Sequence, residues 1–179
     1  MHKIALLLCA AVLIGGCKTP KPTGAGTEEF PAPGETTNSD EIGPGIPQGQ
    51  DSNFGPIKDP AVKAEVETVL RDIHFAYDSA TILPNDAAIL QAIAGLLKKH
   101  QQVLVKIEGH CDERGTEEYN VALGSRRANA ARENLISLGI EPSRLFTTSY
   151  GEMQPVASGH EETAWAQNRR DHFIGGEAK

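Results

Sequence analysis

The residues of this 179-residue chain best suited to chemistry concentrate in residues 109–127, GHCDERGTEEYNVALGSRR. Asp112, Glu113 and Arg114 fall between a segment with alternating Val103, Val105 and Ile107 and a run of helical period beginning near Thr116. Alternation predicts a strand. Thr followed by two glutamates predicts a helix start, because the hydroxyl caps a free backbone N–H and the dipole favours anions in the first turn. A carboxylate suits an ammonium, and a guanidinium can grip a carboxylate through two parallel hydrogen bonds. Loop and helix start together therefore suit a small zwitterionic group. Leu123 and Arg127, four apart, share one helix face. An exposed ion pair contributes about 0.2–1 kcal/mol, so such a site needs several partly shielded contacts, and modest affinity is expected.

His110, Cys111 and Asp112 form a run that invites a nucleophile or metal reading. Adjacent residues at a strand end point to opposite sides, so they cannot build a triad among themselves. No second His or Cys cluster has ligand spacing. Cys111 is expected to be a buried or partly buried, unpaired thiol. No catalytic residue, metal or cofactor is expected, since an enzyme would need a paired acid, a Ser/Cys–base set or a zinc site.

The elements that must hold this stretch follow in order. Asp59 and Pro60 read as an N-cap and first helical residue, and Val62, Val66, Val69 and Leu70 give one apolar face of a helix to about residue 71. Residues 73–78 read as a strand, 79–83 as a turn. A second helix opens at Pro84, with Ile89, Leu90, Ile93, Leu96 and Leu97 inward and Lys98, Lys99 and His100 at its negative end. Residues 103–108 form the next strand. The central helix runs to Leu138, burying Val121, Ala128, Ala131, Leu135 and Leu138, and stops at Gly139. A strand over 144–150, a helix over 163–168 with Trp165 inward, and a weak strand near 171–174 complete the pattern. The last strand is expected to be short and away from the site. Alternating helices and strands predict a two-layer α/β sandwich.

The net charge of −7 argues against a nucleic-acid protein. At the start, Lys3 and an apolar run over residues 4–14 are too short to span a bilayer and fit a secretory signal. The run ends in Ile14, Gly15, Gly16 and Cys17, which resembles a bacterial lipoprotein signal. That resemblance implies cleavage after residue 16 and lipidation of Cys17; Lys18 in place of Asp points to the outer membrane. Residues 17–58 are rich in Pro and Gly and read as a lipid-bearing, disordered linker, with the folded domain over 59–179.

The strand IHFAYDS, the block GHCDERGTEEYNVALGSRRANA, LGI with a following SYG, and NRR near the end resemble the OmpA-like peptidoglycan-binding domain over roughly residues 73–172. The resemblance implies a mixed four-stranded sheet with helices on one face. It also implies non-covalent binding of the peptidoglycan stem peptide through diaminopimelate. The contacts carried over are Asp112, Arg114, Thr116, Leu123 and Arg127, with Tyr77 and Asp78 lining the groove. Alanine at Asp112 or Arg127 is expected to abolish binding while the fold survives. The implied partners are peptidoglycan, the outer membrane through the lipid, and a periplasmic TolB-like protein of the Tol system. A wall anchor of the same fold without Tol partners is the alternative; a cell-wall hydrolase is disfavoured. Cys111 departs from the family's usual Ala or Thr.

Overall fold

The computed structural model describes residues 54–179; the signal, Cys17 and the linker as far as residue 53 lie outside the described residues. The elements in order are β1 (Phe54–Gly55), α1 (Pro60–Val69), β2 (Ile73–His74), α2 (Pro84–Lys99), β3 (Val103–His110), α3 (Glu117–Ser137), a 3-10 turn (Pro142–Arg144), β4 (Leu145–Gly151), α4 (Glu162–Asn168) and β5 (Arg170–Ala178). The sheet runs β1-β5-β3-β4, with β2 also on β5. β3 and β4 are parallel and the other pairings antiparallel, so the sheet is mixed as expected.

Local chemistry explains most boundaries. Asp59 accepts a hydrogen bond from the Ala61 N–H at 2.8 Å and Pro60 opens α1. Thr116 Oγ1 accepts from the Tyr119 N–H at 3.2 Å and starts α3. Gly139, at φ 89°, follows the helix as its stop. The core forms where Val62 and Val66 of α1, Leu90, Ile93 and Leu97 of α2, and Ala128, Ala131 and Leu135 of α3 meet Val103, Val105 and Ile107 of β3. Of the stripe expected on α3, Val121 and Leu138 are half-buried; Asn120, Leu123, Gly124 and Arg127 are buried instead. The helix has turned so that Gly124 meets β3.

Three expectations are corrected. The strand over 73–78 ends at His74, because beyond it the carbonyls of Phe75 and Ala76 accept from Arg169 and Arg127 side chains rather than from a ladder. The weak last strand is a full nine residues and lies at the centre of the sheet, between β1 and β3. It reads weakly because Gly175 and Gly176 stand where side chains would collide with Val66 and Phe54. Phe54 and Gly55, expected in the linker, pair with Ala178 and Glu177.

The site is positioned by a close approach. A Cβ built on Gly109 of β3 would collide with the Gly124 carbonyl of α3, and one on Gly124 would meet Ser149 and the Gly109 carbonyl. Two glycines let helix and strand touch backbone to backbone, which fixes the depth of the loop between them. Gly109→Ala is expected to lower stability by about 3 kcal/mol or more through overpacking. Gly95→Ala, on an open face of α2 with nothing within 4 Å, is expected to raise it by about 0.8 kcal/mol. Thermal melting of the two variants, read side by side, checks both signs.

Candidate functional site

Loop 75–79, loop 111–116 and the first turns of α3 enclose a groove of about 160 Å³. Tyr77, Asp78, Asp112, Arg114, Leu123 and Arg127 all line it, so six of the seven expected residues come together. Thr116 does not line the groove; its hydroxyl is spent capping α3.

Arg127 is fully buried. Its Nε donates to the Ser79 carbonyl at 2.8 Å, Nη1 to the His110 carbonyl at 2.8 Å and to Cys111 Sγ at 3.4 Å, and Nη2 to the Ala76 carbonyl at 3.2 Å. A guanidinium has five N–H groups, so one on Nη2 is left over. None of the described acidic side chains forms an ion pair with it, and Phe75 lies under the guanidinium at 5.0 Å. Arg127 therefore does not pair with Asp112. It staples the 75–79 loop to the end of β3.

Asp112 is held from three directions. Oδ1 accepts from the Arg114 backbone N–H and Nε, each at 3.1 Å; Oδ2 accepts from Arg114 Nη2 at 2.7 Å and from Arg169 Nη1 at 3.2 Å. Burial alone would raise its pKa, but these bonds outweigh burial and hold the carboxyl below the usual range. Arg114 is itself clamped, its guanidinium 4.0 Å from the Tyr77 ring centroid and 4.1 Å from that of Trp165. Asp78 differs: it is exposed, sits at φ 51°, a left-handed conformation that Asp tolerates, and accepts from the Tyr119 hydroxyl. The groove thus carries one saturated carboxylate, one open carboxylate, and a buried cation with a spare N–H.

Cys111 is buried and unpaired, donates to the Asn120 carbonyl at 3.2 Å, and burial pushes its thiol up to about 11. A protonated thiol is no nucleophile. His110 faces the opposite side of the sheet, stacked on Tyr150.

Residues 74–169 match the OmpA family. The chain belongs to that family. It is similar over 170 residues, at 38% identity, to the peptidoglycan-associated lipoprotein of Pseudomonas aeruginosa, covering 94% of this chain and 93% of that protein. The Legionella pneumophila protein of the same name is 37% identical over 175 residues, covering 97% and 94%. The crystal structure of the peptidoglycan-associated lipoprotein from Burkholderia pseudomallei superposes with a TM-score of 0.59 at 41% identity, over 67% of this chain and 98% of that one. The C-terminal domain of Helicobacter pylori MotB, at 22% identity over 60% of this chain and 84% of that one, shares the fold with a TM-score of 0.56. This OmpA-family chain thus stands with the peptidoglycan-associated lipoproteins.

Several residues around the groove of this OmpA-family domain gave weaker sequence signals. Arg169 holds a loop by bonding the Phe75 carbonyl at 3.0 Å while also reaching Asp112 and Glu162. It stands immediately before β5, so that strand begins beside the site rather than away from it. Trp165 is not inward; Ala164 is, and the Trp165 ring flanks Arg114 while its Nε1 donates to Glu113 at 2.9 Å. Asn120 and Asn168 tie loops: Asn120 Nδ2 donates to the Asp112 and Arg114 carbonyls and to Glu152, and Asn168 closes the turn at Val156 and Ala157. The NRR triplet was the available signal for Arg169; nothing in the pattern paired Trp165 with Arg114.

Arg127→Ala would take the charged donor from the Ala76, Ser79 and His110 carbonyls, so the fold is not expected to survive it unharmed: a loss of about 3 kcal/mol should appear in denaturant unfolding. His110 gives a pH prediction. Its ring is buried with both nitrogens unpartnered, and burial, then the Arg170 and His172 charges, pull its pKa down from 6.5 to about 4. The unfolded chain then holds the extra proton, so this stability is complete above pH 6.5 and is lost as pH falls to about 4. The loss is on the order of 3 kcal/mol. His110→Phe should flatten that acid limb of the melting profile; an unchanged limb places the sensitivity elsewhere.

Proposed function

We propose that the groove binds the peptide stem of peptidoglycan without changing it, taking the ammonium and carboxylate at the free end of diaminopimelate. The observation that carries this is the juxtaposition, in one small groove, of the open Asp78 carboxylate and the Arg127 cation with its spare N–H. Asp78, exposed beside the groove, draws the ammonium in, and Arg127 meets the carboxylate. Leu123, buried on the helix face between them, supplies apolar contact for the side-chain methylenes. Asp112 is occupied by Arg114 in the ligand-free groove. A ligand ammonium displaces that guanidinium to reach Asp112, and the freed Arg114, flanked by Tyr77 and Trp165, closes over the peptide. Thr116 acts by fixing the start of α3.

The protein in this reading is a binder rather than an enzyme, in keeping with relatives named for association with peptidoglycan. Lipidation of Cys17 tethers it to the outer membrane with the domain facing the periplasm, and the Pro/Gly-rich segment spans the gap. The wall polymer and the lipid raise the effective concentration of a modest site. A TolB-like protein is the proposed periplasmic partner, in part through the same surface, with a role in envelope integrity and cell division.

Co-sedimentation of the purified chain with diaminopimelate-type peptidoglycan tests the assignment. Asp78→Asn is expected to weaken retention roughly tenfold with unchanged melting; Asp112→Asn, which loses the charge-assisted bonds from Arg114 and Arg169, is expected to weaken retention as much and to lower the melting temperature as well, and no soluble wall fragments should be released. Full retention by both variants would take these carboxylates out of the site.

A further inference from the structure

Asp171 is the second residue of β5 and points to the helix side of the sheet, with register partners Gly109 of β3 and Ile73 of β2. Its side chain is fully buried, and neither carboxyl oxygen has a hydrogen-bond partner. A carboxyl buried without partners costs stability, and an apolar residue there would serve the core better. The charged and titratable groups that act on it come from three sides: Arg127 of α3, Asp72 ahead of β2, and Cys111 after β3. Its strand neighbours Arg170 and His172 alternate to the other face.

Arg127, with one N–H left over, and the unpartnered acid are thus near neighbours, close enough to act on each other but not joined by an ion pair. Were Asp171 ionised, it would be the natural counter-ion of Arg127. Burial opposes that and favours the proton strongly, with the Arg127 charge pulling the other way.

We propose that Asp171 is a positioning residue for anion capture. Protonated, it leaves the Arg127 charge uncompensated at the groove floor for a ligand carboxylate; ionised, it supplies the counter-charge itself and weakens the hold on the ligand. The strand beneath the site thereby makes carboxylate binding sensitive to pH without touching the ligand. This rests on the reading of the groove as a carboxylate site.

The test is calorimetric titration of the whole chain and of Asp171→Asn with the tripeptide L-alanyl-γ-D-glutamyl-diaminopimelate, from about pH 5 to about pH 8.5. The amide cannot ionise, so the ligand's own protonation is shared by both proteins and the difference isolates Asp171. At the acid end the two are expected to bind within about twofold of each other, and at the alkaline end the wild type should fall behind by roughly tenfold. The folded state holds this proton more tightly than the unfolded one, so the associated stability is whole below about pH 4 and is lost as pH rises toward the folded value. Melting of the wild type should therefore decline over that range relative to Asp171→Asn. Parallel binding profiles, or loss of binding by Asp171→Asn at acid pH, overturn the proposal while the groove stands. No binding by the wild type at any pH removes the reading of the groove and this proposal with it. Carboxyl carbon NMR of Asp171 in the unaltered chain stands independently of whether the variant folds. A titration above the ordinary carboxylate range supports the proposal, and one within it overturns it.

Discussion

The site depends on one buried guanidinium. Arg127 reaches from the middle of α3 to the carbonyls of Ala76, Ser79 and His110. Those oxygens belong to the loop after β2 and to the end of β3. A charged donor satisfies several such acceptors at once and is stronger than neutral bonds would be. The groove wall and the groove cation are thus the same side chain, and removing one removes the other. The chain bears a buried cation with no anionic partner among the described residues, an arrangement that is costly unless carbonyl dipoles or a ligand compensate it.

Around that cation the charges are layered. Asp112 is neutralised by two arginines, one from its own loop and one from just before β5, and the aromatic rings of Tyr77 and Trp165 flank Arg114. Three chain segments distant in sequence are joined by this set, which ties the loop down despite its exposure. Exposed charge pairs are weak singly, but here the pairs are shielded and share partners, so they act as a network. The close contact of Gly109 with Gly124 sets the distance at which these side chains can meet.

Much of the frame was legible in the residues. The Asp59–Pro60 and Thr116 caps, the two long amphipathic helices, β3 and the Gly139 stop are written in local chemistry, and they formed within a residue or two of expectation. The grouping of Tyr77, Asp78, Asp112, Arg114, Leu123 and Arg127 came from the resemblance rather than from spacing, since Tyr77 and Arg127 are far apart in the chain. The central strand β5 was barely legible: its glycines and charges lack the alternation of a half-buried strand, because their roles are set by Val66 and Arg127 on the helix face and by Phe54 on the other.

Local chemistry is enough to place a charged loop between a strand and a capped helix, because caps and periodicity act over three or four neighbouring residues. Which charge meets which is a different kind of fact. Asp112 pairs with Arg114 and Arg169 rather than with Arg127, Arg127 spends itself on carbonyls, and Asp78 stays open. Each of those outcomes follows from distances set when α3 packs on β3 and β5 enters the middle of the sheet, and a hydrogen bond made across that packing leaves no periodic mark in the chain.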